Sequence, residues 1–275
     1  MPEGPEIHRA ADRVHAALSG RSAQTVFFGL PHLEPLGEGL SGQRVVSVTA
    51  HGKAMLTEFE DGRCVFSHNQ LYGRWYIVKA GARPSTRRSL RFMVENEEKA
   101  ALLYSASTLE VLTPDDVPHH PFLAKLGPDP LHEGVTPKRV EKQLKSRTFC
   151  GRSLGALLLD QSFVAGLGNY LRSEILFVAG LDAGCRPKDL DEATTERLAR
   201  AIVTITRRAY ETGGVTNDLR AVKKLKAAGV PRRGYRHWVF ARGGQPCRRC
   251  ETKVEQHTIA GRRLFQCPHC QPEMV

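Results

Sequence analysis

No run of eighteen apolar residues occurs anywhere in the chain, so no transmembrane helix is expected. The start, Met1-Pro2-Glu3-Gly4-Pro5-Glu6, lacks the basic and then apolar regions of an export leader. A cytoplasmic location follows as the expectation. There is no internal repeat and no long low-complexity tract. Acidic residues are comparatively few: 29 Asp and Glu face 40 Lys and Arg, a net charge of +11. The sequence pI is about 9.5. This excess points to a polyanionic partner, nucleic acid first, although a basic protein can simply be soluble. Hydrophobic residues at 41% and charged residues at 25% exclude a largely disordered chain. A length of 275 residues suggests about two compact domains.

Seven cysteines are present, and four of them form two close pairs, Cys247-x2-Cys250 and Cys267-x2-Cys270, with 16 residues between. Two tight turns would each offer two thiolates to one tetrahedral ion, and the intervening residues can form a hairpin. That spacing predicts one structural Zn2+. Disulfides are the competing reading, disfavoured where no export signal is present and thiols stay reduced. Cys64, Cys150 and Cys185 read as buried structural thiols.

Along the chain, Ile7, Ala10, Ala11, Val14 and Leu18 share one face at 3.6 periodicity, and Gly20 stops the helix. Short β-type runs follow from about 22 to 113: Thr25–Phe28, Arg44–Thr49, Ala54–Phe59, Cys64–Ser67, Trp75–Val78, Leu90–Val94 and Ala101–Tyr104. They predict a sandwich or barrel. Pro114, Pro118, Pro121, Pro128 and Pro130 mark a linker. Helical patterns resume from Thr136, a cap followed by proline at the first helical position. Leu154–Leu159, Tyr170–Val178 and Leu198–Ile205 supply the apolar faces. Residues 212–235 are rich in Gly, Lys and Arg and read as a mobile basic loop or a solvated charge run.

Several short motifs could carry chemistry. Removal of Met1 would leave Pro2 as an N-terminal secondary amine. An α-amino group has an ordinary pKa of about 8, against about 10.4 for lysine, so a useful fraction is neutral near pH 7. Such an amine can attack an aldehyde carbon and form an iminium. Glu3 and Glu6 lie within one helical turn of it and suit proton transfer. Helix-dipole preference explains two first-turn carboxylates equally well. His51-Gly52-Lys53 offers a close backbone approach and a cation, or only a solvated lysine. Ser67–Gly73 combines Gln70, Leu71 and Tyr72. It reads either as a wedge for an opened duplex or as a hairpin turn with its own small core. Gly166–Arg172 is a glycine-rich turn into a helix start, where backbone N–H groups could face an anion beside Asn169 and Arg172. Helix–helix geometry alone would also demand those glycines.

In this order and spacing, the motifs resemble the formamidopyrimidine-DNA glycosylase/endonuclease VIII family of DNA repair enzymes. The resemblance runs nearly the whole length. It rests on Pro2–Glu6, Gly52-Lys53, Ser67–Gly73, Leu158–Gln161 with Gly166–Tyr170, and the four-cysteine ribbon with Arg262 in its hairpin. Gln70-Leu71-Tyr72 looks like the wedge of the endonuclease VIII branch. Tyr104-Ser105-Ala106-Ser107 lacks the Arg-Phe pair of the purine-lesion branch.

The resemblance implies an α+β fold: an N-terminal β-sandwich with flanking helices, a helix-two-turn-helix domain and a zinc ribbon. The implied boundaries are 1–120, a linker at 121–135, 136–235 and 236–275. It implies a bifunctional DNA glycosylase/AP lyase acting on double-stranded DNA with oxidised pyrimidines or abasic sites. No feature of the sequence indicates a multimer, so a monomer is expected. The alternatives are an oxidised-purine glycosylase of the same family and a catalytically silent DNA-binding zinc protein. By resemblance Pro2 is the nucleophile, Glu3 the general acid, Lys53 the cation for β-elimination and Arg262 the phosphate grip for δ-elimination. Gln70, Leu71, Tyr72, Lys125, Asn169 and Arg172 would contact DNA, and Glu6 would support them. The stretch 213–235 is longer and more basic than a compact endonuclease VIII implies.

Overall fold

The computed structural model describes residues 2–273, so the expected removal of Met1 falls outside the described residues. The chain divides into two compact units, Met1–Lys125 and Leu126–Val275.

The first unit opens with helix α1, Gly4–Leu18, which packs Ile7, Ala11, Val14 and Leu18 inward. Strand β1, Thr25–Phe28, and a short helix α2, Leu36–Leu40, follow. The remaining strands are β2 (Val45–His51), β3 (Ala54–Phe59), β4 (Cys64–His68), β5 (Arg74–Lys79), β6 (Leu90–Glu95), β7 (Lys99–Tyr104) and β8 (Thr108–Leu112). They form two antiparallel four-stranded sheets, in the orders β1-β6-β7-β5 and β2-β3-β4-β8. Val26, Phe28, Phe92 and Leu103 of the first sheet share one core with Val48, Met55, Phe59 and Val65 of the second. This sandwich explains why β3 and β7 read as nearly unbroken apolar runs. On their other faces, Leu56 of β3 packs with Phe66 of β4 against Phe122 and Leu123, and Leu102 of β7 lies beside Tyr76 and Val78 of the neighbouring β5.

In the first unit, helix α2 and strand β8 escape the sequence reading. Helix α2 is Leu-Gly-Glu-Gly-Leu, poor in helix propensity. Gly37 is required there because a Cβ would meet the Val26 carbonyl oxygen at 2.6 Å. Strand β8 pairs with β4 from Cys64↔Leu112 to His68↔Thr108, after Ser105 turns the chain at φ 56°.

The second unit contains α3 (Pro137–Lys145), α4 (Leu154–Leu157), α5 (Asn169–Ala179), α6 (Glu192–Glu211), α7 (Leu219–Ala227) and α8 (Arg232–Tyr235). Pro137 opens α3 as expected, but the Thr136 side chain makes no cap bond. Twenty-residue α6 is capped by Asp191, which accepts from the Thr194 N–H. Its apolar stripe joins α3, α4 and α5 around Leu157, Phe163, Leu171, Leu198 and Ile202. The chain closes with the hairpin β9 (Glu255–Ile259) and β10 (Arg262–Gln266).

The segment read as a mobile basic loop is a correction: it is ordered as α7 and α8. Asp218 caps α7 by accepting from the Ala221 N–H at 2.9 Å. Val222 and Tyr235 bury a small core with Val215. Cys150 is only half-buried, unlike Cys64 and Cys185.

Candidate active site

Pro2 precedes α1 and is half-buried, while Glu3 at the N-cap is 2% exposed. Glu3 and Glu6 form a reciprocal capping box. The Glu3 carboxylate accepts from the backbone of Glu6, and Glu6 Oε2 accepts from the Glu3 N–H at 3.0 Å. The box satisfies two backbone donors that every helix start leaves open. It therefore fixes both carboxylates next to Pro2 for a structural reason, whatever chemistry they serve. Pro2 also borders a hollow of about 300 Å³ whose wall includes Asn69, Leu71, Tyr72, Trp75 and Arg88.

The 69–73 segment joins β4 to β5, and those strands lie in different sheets. It is a crossover, which corrects the simple-hairpin reading. Gly73 closes it tightly, since a Cβ there would lie 2.5 Å from the Asn69 carbonyl oxygen. Gln70 adopts φ 48°, a left-handed conformation costly for a side chain with a Cβ. Its backbone N–H donates to His68 Nδ1 at 3.0 Å. Its side-chain amide donates to Thr108 Oγ1 at 2.7 Å and accepts from Ser107 Oγ at 2.6 Å. Arg88 donates to the Tyr72 carbonyl at 2.6 Å. These bonds hold Leu71 and Tyr72 out into solvent, 58% and 68% exposed. Two large apolar side chains projected from a braced turn suit insertion between bases. The bracing by Ser107, Thr108 and His68 was missed in the sequence, where 104–107 stood out only for lacking an Arg-Phe pair.

Lys53 shares the two-residue β2–β3 turn with Gly52, between the paired His51 and Ala54. Gly52 supplies the positive φ of 60°. Ala54 pairs with His68 across the sheet, which brings the Lys53 charge toward that ring. Burial first, and the Lys53 cation second, hold the His68 pKa below the ordinary histidine value. A neutral His68 keeps Nδ1 available to the Gln70 N–H. Lys125 is exposed at the end of the 3-10 turn Leu123–Lys125.

In the second unit, Gln161 braces the glycine turn: Oε1 accepts from the Gly166 N–H, and Nε2 donates to the Leu167 carbonyl. Half-buried Asn169 is the first residue of α5. Arg172, expected to contact DNA, is fully buried. Its guanidinium donates to the carbonyls of Gly155, Ile259, Arg262 and Arg263 and to Asn169 Oδ1, at 2.8–3.3 Å. Its place is corrected from surface contact to internal anchor. It ties the start of α5 to the backbone on both sides of the β9–β10 turn. Ala260 and Gly261 make that turn at φ 52° and 68°, and Arg262 follows it, exposed.

The four cysteine sulfurs lie within 4.8 Å of one another. Separations of 3.9 Å for Cys247–Cys270, 3.4 Å for Cys250–Cys267 and 3.5 Å for Cys250–Cys270 bracket the edge of a zinc–thiolate tetrahedron, about 3.8 Å for bonds of roughly 2.3 Å. The donor set and its compactness fit a metal ion. Four protein ligands leave no open position, so such an ion would be structural.

Glu174 is a further residue that the sequence reading passed over. It is wholly buried on α5. Its Oε1 accepts from the N–H groups of Val239 and Phe240, and its Oε2 from Trp238 N–H and the Thr216 hydroxyl. Burial pushes its pKa up while these donors pull it down. A lone glutamate inside the apolar run Ile175–Val178 and its flanks was the available signal.

The chain thus has a two-sheet unit opening on Pro2-Glu3 and a helical unit closing on a four-cysteine hairpin. The sequence models of the formamidopyrimidine-DNA glycosylase N-terminal domain and H2TH domain match residues 1–106 and 126–220. Endonuclease 8 of Escherichia coli is 44% identical over 98% of this chain and its own full length. Endonuclease 8 of Klebsiella pneumoniae is 43% identical over the same shares. The chain belongs to the formamidopyrimidine-DNA glycosylase family, whose members excise damaged bases and cleave abasic sites in base excision repair. Lactococcus lactis Fpg (MutM), solved in complex with an oxidised-pyrimidine DNA, shares the fold at TM-score 0.80 and 22% identity, over 99% of this chain and all of that one.

Proposed function

We propose that this glycosylase/AP lyase excises oxidised pyrimidines from duplex DNA through a Schiff base on Pro2, then cuts the strand by β,δ-elimination. One observation carries the reading. The half-buried Pro2, beside buried Glu3, borders the same hollow as the exposed Leu71-Tyr72 wedge. A base inside a duplex must be extruded before chemistry, so nucleophile and wedge need to be neighbours.

The neutral Pro2 nitrogen attacks C1′, and the C1′–base bond breaks as Glu3 supplies a proton. Pro2 then gives up its N–H proton and the C1′–O4′ bond opens, O4′ leaving as the hydroxyl, so that C1′ becomes double-bonded to the Pro2 nitrogen. The resulting iminium acidifies the C2′ proton. Loss of that proton expels the 3′ phosphate, and a second elimination expels the 5′ phosphate. Lys53 and Arg262 stabilise the departing phosphates. Gln70, Lys125 and Asn169 contact the DNA. Zinc held by Cys247, Cys250, Cys267 and Cys270 fixes the hairpin that presents Arg262. The preference for pyrimidines is supported by the Gln70-Leu71-Tyr72 wedge and by similarity to Endonuclease 8 proteins. The site of action is the cytoplasm, and among the described residues no helix is long and apolar enough to cross a membrane.

Borohydride trapping tests the reading. The parent protein should form a covalent adduct with a duplex carrying one oxidised pyrimidine, and Pro2→Gly should not. An undiminished adduct that maps to a lysine defeats the Pro2 assignment. Faster excision from an 8-oxoguanine duplex in the same panel defeats the pyrimidine preference.

A further inference from the structure

Residues 219–236 carry seven cations and no Asp or Glu. Eighteen residues thus hold seven of the chain's eleven net positive charges. They are arranged on ordered structure. Arg220, Lys223, Lys224 and Lys226 on α7, and Arg232 and Arg233 on α8, are exposed, while Val222 and Tyr235 face inward. Some exposed cations elsewhere sit against carboxylates, as in Arg21–Glu98, Arg83–Glu95, Arg152–Asp160 and Arg200–Glu196. Among the described residues no ion pair neutralises any of those six on α7 and α8.

The turn of helix makes the arrangement costly. Arg220 and Lys224 are four apart and Lys223 and Lys226 three apart, so like charges are neighbours on one face. A nine-residue helix with such repulsion cannot persist on propensity. It is held from outside. Asp218 caps it, the Thr216 and Asn217 N–H groups donate to the Arg236 carbonyl, and Asn217 Nδ2 donates to the Tyr235 carbonyl. The same segment is fastened to α5. Arg236 lies over the Tyr170 ring at 5.5 Å, and Thr216 donates to Glu174. Tyr170 adjoins Asn169, so the cationic face is built onto the helix whose first residue is proposed to contact DNA.

We propose that the α7–α8 face is a second phosphate-binding surface, which holds undamaged duplex DNA independently of the lesion. This rests on DNA being the partner in the reading above. A regular polyanion is the occupant that matches a rigid set of cations with no carboxylate among them, and counterion release would then supply binding without base recognition. A flipped base, by contrast, is held by stacking and hydrogen bonds to its edges. Lys226 Nζ lies over the Tyr235 ring at 5.2 Å, but that ring is buried, so the exposed cations present no aromatic face on which a base could stack.

The test is the triple substitution Arg220→Gln, Lys223→Gln and Lys224→Gln, with Arg233→Gln as a second variant on α8. Glutamine keeps helix propensity near that of lysine and arginine, so α7 should persist. Affinity for an undamaged duplex is measured across salt concentrations. Each engaged cation contributes about 0.9 to the slope of log affinity against log salt, so the triple variant should flatten it by up to about 2.7 and Arg233→Gln by up to about 0.9. Single-turnover excision at saturating enzyme should stay at the parent rate. Parent-like slopes in both variants overturn the proposal. So does an unchanged slope with slower excision of one lesion class, which would make this segment a cap over the extruded base. Borohydride trapping on the parent reports the glycosylase reading separately, so the two failures are distinguishable.

Discussion

Replacing Arg172 tests whether the helix start and the hairpin act as one device. The guanidinium is inaccessible to solvent and bonded to four backbone carbonyls and Asn169 Oδ1. Arg172→Met keeps much of the volume and removes every donor. Even if only two carbonyls stay dry and unpaired, at about 1–3 kcal/mol each, the loss is about 2–6 kcal/mol. That is a large fraction of the roughly 5–15 kcal/mol that holds a domain together. For a unit of this size the melting temperature should fall by about 4 °C or more. Arg172→Lys keeps one charge with three donors and no planar fork, so it should recover only part. Thermal unfolding measures the first effect. The second is functional: with the turn unanchored, δ-elimination should fall toward that of Arg262→Ala while base excision suffers less. Suppose instead that Arg172→Met melts with the parent and its salt slope drops by about 0.9. Then the arginine binds phosphate, and the anchoring argument is wrong.

Three further outcomes are expected. Glu3→Gln should keep the capping geometry but slow excision by about 10²-fold or more, with less effect on a ready-made abasic site, and normal excision would remove Glu3 from proton transfer. Chelation or Cys247→Ser should unfold the hairpin and leave the first unit folded, because a short ribbon draws its folding free energy from the metal, and metal analysis with far-UV spectra checks this. The first unit should lose stability as pH falls below about 6.5, where the unfolded histidine takes up a proton that native His68, with its lowered pKa, resists down to a lower pH. His68→Gln should flatten that acid limb of the stability profile, and an unchanged limb would assign it to other groups.

The sequence alone determined much of this protein, because its signals are local. The period of α1, the strand runs from Thr25 to Tyr104, Pro137 at a helix start and the paired Cys-x2-Cys turns each depend on residues within a few positions of one another. The motif order from Pro2 to Arg262 was likewise legible as a family resemblance. What tertiary structure decided is where long-range contacts outweigh local chemistry. Helix α2 has a poor helix-forming sequence and exists because Gly37 lets it lie against Val26. The 212–235 stretch looks like a solvated charge run, yet buried Thr216, Asn217 and Tyr235 pin it into helices that no local pattern of charges could predict. Arg172 is the sharpest case. An arginine beside a glycine turn reads as a surface cation, because its neighbours in sequence alone cannot enclose its guanidinium. Carbonyls from 17 residues before it and 87 to 91 residues after it do so, and only folding brings them to one side chain.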